Sequence, residues 1–150
     1  MSSLRNGGAE RSLVNLLQLL DYDRYNVDLL LFQNEGMFLK QVPKEVNIIS
    51  NCNKLYTLYD NNKAEALKHP YLSAVHIIGT FISRKKTNSV AKSRQYRWEH
   101  FYKKILPKLT KEYDVAIAYM QREQTYFLVD KVKAAKKITW VPVSYTHLRA

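Results

Sequence analysis

Apolar positions recur with two different periods along the chain, and the alternation of those periods predicts its elements. From Ala9 to Leu20, the residues Leu13, Leu16, Leu17 and Leu20 follow the spacing of one helix face. Asp21-Tyr22-Asp23 breaks that pattern, and Val27 to Phe32 is then a compact apolar run of strand length. Gly36 opens a short connection to Pro43, and Val46 to Ile49 predicts a further strand. Helical spacing returns from Asn62 to Ser83, where Leu67, Tyr71, Val75, Ile78 and Ile82 define an apolar face that Leu72 and Phe81 widen. Pro70 inside this stretch starts or bends the helix. Tyr96, Trp98, Phe101, Tyr102, Ile105 and Leu109 form the next helical stripe, with Pro107 at its end. Val115 to Tyr119 predicts a strand, Thr125 to Lys133 a helix, and Lys137 to Val141 a last strand.

Strands that are nearly apolar throughout and alternate with helices predict a parallel sheet covered on both faces. The expected class is therefore α/β, a Rossmann-like parallel sheet with helices on both faces. Met1 to Leu4, ahead of the first helix, reads as the clipped end of an opening strand, since a full strand needs about five residues.

Composition narrows the picture. A chain of 150 residues holds one domain, and values of 46% hydrophobic, 25% charged and 12% aromatic exclude collagen-like, disordered and disulfide-scaffold classes. The longest stretch without a charged side chain, His69 to Ser83, falls short of the roughly 18 apolar residues of a membrane span. No basic segment followed by an apolar run opens the chain, so a cleaved secretion signal is not expected. A lone cysteine, Cys52, forms no internal disulfide and holds no metal by itself, which fits a reducing cytosol. His76 reads as a packed histidine within an apolar helix.

Charge is regional. Between Arg84 and Lys111 there are ten basic residues against Glu99 alone, a local charge of +9 out of a total of +11. On Arg84, Lys85, Lys86, Lys92, Arg94, Arg97, Lys103 and Lys104 three readings stay open: a solvated face, a membrane-facing patch beside aromatic residues, or a nucleic-acid contact. The aromatic residues fall on the buried stripe and no nucleic-acid module is recognisable, so nucleic acid is disfavoured.

The residues Arg5-Asn6-Gly7-Gly8-Ala9-Glu10-Arg11 occupy a strand-to-helix turn. Two glycines permit positive φ and close approach of a ligand to the amides, and the helix beginning there offers free N–H groups to an anion. The alternative is a tight turn with no ligand. The turn matches neither the dinucleotide fingerprint nor the phosphate loop of nucleotide hydrolases. At the end of the penultimate strand, Tyr119-Met120-Gln121-Arg122-Glu123 either lines a cleft or forms a solvated turn. There Arg122 would meet an anionic group and Glu123 a hydroxyl.

The block Gly7-Gly8-Ala9-Glu10-Arg11, with Leu13-Val14-Asn15-Leu16-Leu17 and Tyr25-Asn26-Val27-Asp28-Leu29-Leu30-Leu31, resembles the N-terminal domain of family-4 glycosyltransferases. Glu35-Gly36-Met37-Phe38, Tyr113-Asp114-Val115-Ala116-Ile117-Ala118 and Lys136-Lys137-Ile138-Thr139-Trp140-Val141 extend the resemblance from about Ser2 to Val141. It implies the acceptor-side half of a GT-B enzyme, retaining and free of bound metal or other cofactor. Such an enzyme moves a sugar from a nucleotide diphosphate donor to a glycan or lipid-linked glycan. Gly7 and Gly8, with Arg11 secondary, would face the cleft as donors to a diphosphate or an acceptor phosphate; no catalytic residue is assigned.

The chain also departs from the family. It carries neither a second Rossmann-like domain nor the family's paired glutamates, so most of the donor site is expected elsewhere and the 150 residues alone are expected to be inactive. Pro142 stands where the family usually places a histidine. Residues 1–141 therefore read as the domain and 142–150 as a non-native tail resembling translated adaptor sequence. The expected location is cytoplasmic or peripheral on the inner face of the cell membrane. The competing reading is a basic module that docks on anionic membrane or nucleic acid through residues 84–111.

Overall fold

The computed structural model describes residues 1–49, 58, 69–121 and 123–141. Helix α1 (Gly8–Gln18) precedes strand β1 (Asp28–Leu30), a 3-10 turn (Met37–Gln41) and strand β2 (Asn47–Ile49). Helix α2 (Pro70–Lys86) leads to α3 (Val90–Arg97), which continues through a π-helical turn (Trp98–Tyr102) into a last α turn (Lys103–Ile105). Strand β3 (Glu112–Ala118), helix α4 (Glu123–Lys131) and strand β4 (Lys133–Thr139) follow.

Both strand pairs are parallel. Asp28 lies opposite Asn47 in β1–β2, and Glu112 opposite Lys133 in β3–β4. The chain is thus mixed α/β with two small parallel two-stranded sheets rather than the continuous sheet expected from sequence. The break falls at the opening segment. Its Met1 amine donates to the Leu30 carbonyl, and the Phe32 and Gln33 amides donate to Met1 and Ser2. Met1–Leu4 therefore runs beside the β1 segment, and among the described residues it makes no backbone hydrogen bond to β3. Strand β4 begins four residues earlier than its apolar pattern suggests, because Lys133 already pairs with Glu112.

Alternate residues around β1 enter different cores, as strand geometry requires. Leu29 and Leu31 join Leu13, Val14, Leu17, Phe38 and Tyr119 in one cluster. Phe32, with Leu30 against it, joins Leu72, Trp98, Tyr102, Leu106 and Phe127 in the other. On β3 and β4, by contrast, Val115, Ile117 and Ile138 are exposed.

Pro70 occupies the first turn of α2, where a missing N–H costs nothing. The face that α2 buries differs from the one its apolar spacing suggests. Leu72, Gly79 and Ser83 are buried, whereas Tyr71, Ile78 and Phe81 are exposed. Small side chains decide the matter. A Cβ on Gly79 would lie 3.3 Å from the Phe101 ring, and the Ser83 and Ser93 hydroxyls share a 2.8 Å hydrogen bond between α2 and α3.

In α3 the π turn lets both Trp98 and Tyr102 face inward. The Trp98 indole donates to Asp130 at 2.6 Å, and Lys103 pairs with the same carboxylate at 2.7 Å. The Tyr102 hydroxyl meets His76 Nδ1 at 3.0 Å, which accounts for His76 as a packed residue whose pKa burial lowers. The helix ends before Pro107. The buried Lys131 ammonium caps it, donating to the carbonyls of Lys103 and Leu106 at 2.5 and 2.6 Å.

Candidate functional site

Parallel strands place their carboxyl ends on one edge, and loops there collect ligand-facing groups. The carboxyl ends of β1 and β3 lead into the loop after β1 and the β3–α4 turn, and the Gly7–Gly8 turn opens α1. A hydrogen bond of 2.7 Å between the Ser12 and Tyr119 hydroxyls ties the first turns of α1 to the end of β3. The Tyr119 ring stacks on Trp140, with centroids 5.8 Å apart and planes 8° apart. Tyr119 is buried while Trp140 is half exposed, so the pair offers one open aromatic edge.

The glycine turn works differently from its sequence reading. Gly7 is extended (φ −156°, ψ 156°), a conformation open to any residue, and caps α1. Its missing side chain instead makes room for the Glu10 carboxylate, which folds back over the turn. Gly8 is exposed and a Cβ there would meet nothing within 4 Å. Of the described glycines, only Gly36 has positive φ, at 128°, and a Cβ on it would collide with the Leu4–Arg5 backbone. Gly36 therefore seats the loop after β1 against the opening strand, a contact that the Arg5–Glu35 ion pair reinforces.

The other expected site residues separate. Arg11 is exposed on α1. Glu123, in the first turn of α4, forms an ion pair with Arg94 at 3.7 Å, so both are partly sequestered from solvent. Arg122 lies outside the described residues, as do Cys52 and the 142–150 tail. Arg97 is half-buried and donates to the Thr80 hydroxyl at 2.9 Å, which removes it from an outward basic face. Arg84, Lys85, Lys86, Lys92, Lys103 and Lys104 remain exposed. Ser12 and Trp140 join this edge without a motif in the sequence that marks them. The available signal for the stack is an aromatic residue near the carboxyl end of each of the two strands predicted over Val115–Tyr119 and Lys137–Val141.

A concavity of about 610 Å³ lies on the opposite side, at the start of β3 and β4. Glu112, Tyr113, Asp114, Lys133 and Lys137 are among its lining residues. It sits at the amino ends of the strands, so it has no share in the turn-and-helix geometry of the candidate site. Among the described residues, no group of three or more His, Cys, Asp or Glu side chains could hold a metal, and no helix is long and apolar enough to cross a membrane. Comparison with protein-family models, curated proteins and solved structures gave no match.

Proposed function

We propose that this chain is the acceptor-side domain of a retaining glycosyltransferase, using the edge defined by Gly7, Gly8, Ser12, Tyr119 and Trp140. The observation that carries the reading is the Ser12–Tyr119 hydrogen bond, which gathers the glycine turn and the end of β3 on one edge. Parallel pairing, together with a β1 segment whose alternate side chains enter two cores, supports the Rossmann-like arrangement behind it. In this reading Trp140 offers an aromatic surface to a sugar ring. The Gly7 and Gly8 amides receive a phosphate of the acceptor or of the departing nucleotide diphosphate. That anion must displace the Glu10 carboxylate, which makes the site responsive to ligand charge.

Amide chemical shifts followed during titration with uridine diphosphate, inorganic pyrophosphate and a panel of oligosaccharides test this reading. Shifts concentrated at Gly7, Gly8, Ser12, Gln121 and the Trp140 indole are expected. Glu10→Gln should tighten pyrophosphate binding several-fold by removing the competing charge. Shifts confined to the concavity around Glu112 and Lys133 would place the site at the other edge. Transfer from a sugar nucleotide by the 150 residues alone would overturn the assignment of the donor site to a separate domain.

A further inference from the structure

Helix α3 and the first turn of α4 meet in a polar seam whose hydrogen bonds do not close. Arg94 and Arg97, three positions apart on α3, lie on one side of that helix. The Arg94 Nε stands 3.7 Å from the Glu123 carboxylate, beyond hydrogen-bond length, although that carboxylate is only 16% exposed. Arg97 donates from Nη1 to the Thr80 hydroxyl, but its Nε is buried without a hydrogen-bond partner among the described residues. Gln124, next to Glu123, is 7% exposed. Its Nε2 donates to the Ser2 hydroxyl, and its Oε1 is buried without a partner among the described residues. Both unmet atoms belong to residues around Glu123. Gln124 follows it in the chain, and Arg97 and Glu123 both lie within electrostatic reach of the Tyr102 hydroxyl. Buried polar atoms left unpaired in this way call for a bonding partner.

We infer that this seam is a binding site for a small oxyanion, a carboxylate or a phosphate group, and that Glu123 competes for it. Charge selects the ligand, because two guanidiniums share one carboxylate that is too far away to hydrogen-bond Arg94. An oxyanion accepts from Arg94 and from the Arg97 Nε in charge-assisted bonds. The first-turn amides of α4 have no intrahelical acceptor and add further donors. Gln124 adapts to the same ligand. The Ser2 hydroxyl both donates and accepts, so turning the carboxamide over keeps their bond and presents N–H in place of the oxygen. The enclosure of Glu123 and Gln124 favours a small ion over a polymer or a bilayer. This inference does not depend on the transferase reading, because the glycine turn on α1 contributes nothing to the seam.

Titration of the full chain with inorganic phosphate and, separately, with malonate tests it, followed through the arginine Nε–H and glutamine side-chain signals in nitrogen-15 spectra. Shifts at Arg94, Arg97 and Gln124 are expected, and the tighter of the two ions tells a phosphate site from a carboxylate site. Glu123→Gln should tighten binding several-fold by removing the competing charge. Arg97→Lys keeps the charge but loses the Nε donor, and should weaken binding about tenfold. Lys85→Gln with Lys86→Gln should change it little. Circular dichroism checks that each variant is folded, and a gain of affinity in Glu123→Gln has no origin in a misfolded chain. Equal affinity in the parent chain, Glu123→Gln and Arg97→Lys would overturn the inference. Shifts confined to Gly7, Gly8 and their neighbours would also overturn it, while leaving the transferase reading in place.

Discussion

Ser12 and Tyr119, separated by 107 positions in sequence, share a hydrogen bond of 2.7 Å between their hydroxyls. Tyr119→Phe keeps the buried ring and its stack on Trp140 but loses this bond, and should cost about 1 kcal/mol of stability. Tyr119→Ala should cost about 3–5 kcal/mol, since it also empties part of the first core. Urea denaturation of both variants checks the difference. Equal losses would mean that the bond, and not the ring, holds the two elements together.

Asp28 sets a pH dependence. Burial alone would raise its pKa, but hydrogen bonds from Lys111, Asn47 and Tyr113 outweigh burial and hold it below the usual carboxylate range. A depressed carboxyl pKa stabilises the fold above the unfolded value, near 4, and this contribution is lost as pH falls through the folded one. Asp28→Asn should therefore lower stability by about 1–3 kcal/mol at pH 7 and flatten the acid limb of the stability profile. The Tyr113 hydroxyl, pushed up to about 12 by burial and by Asp28, remains a donor throughout that range. An unchanged acid limb in the variant would assign the pH response to other carboxylates.

The glycines should respond unequally. Gly36→Ala must abandon a φ of 128° or push into the Leu4–Arg5 backbone, and a loss of at least about 2 kcal/mol is expected. Gly8→Ala meets no atom and should be neutral or stabilising by up to about 1 kcal/mol. Thermal melts distinguish them. If Gly8→Ala weakens pyrophosphate binding while leaving the melt intact, the glycine at that position serves ligand approach.

Lys131, on α4, caps the last α turn, Lys103–Ile105. Burial lowers its pKa, and Lys131→Met leaves two carbonyls without their donor. A loss of about 1–3 kcal/mol is expected, with helical signal reduced near Leu106. Preserved stability would show that water replaces the ammonium.

Elements were legible in the chain where periodicity met a terminator. The Leu13–Leu20 spacing announced α1, Pro70 marked the start of α2, and Pro107 marked the end of the helix before it. Which face of α2 is buried was not legible from apolar spacing. The decisive contacts belong to Gly79 and Ser83, which hydropathy ranks low and whose value is their small size against Phe101 and Ser93. The site was half legible for a similar reason. Gly7 and Gly8 stood out as a pair, yet the glycine with a conformational requirement is the single Gly36, whose collision partner lies 32 positions earlier in sequence. Arg94 and Arg97 looked like the basic residues around them until Glu123 and Thr80 drew them inward.

The short segment from Leu29 to Phe32 feeds alternate side chains into both cores. Neither core can melt and leave the other its wall, so the two lose structure in one cooperative event. Amides of this segment should then be among the last to exchange with deuterium, at rates set by global unfolding. Faster exchange on one side would mean that the cores open independently.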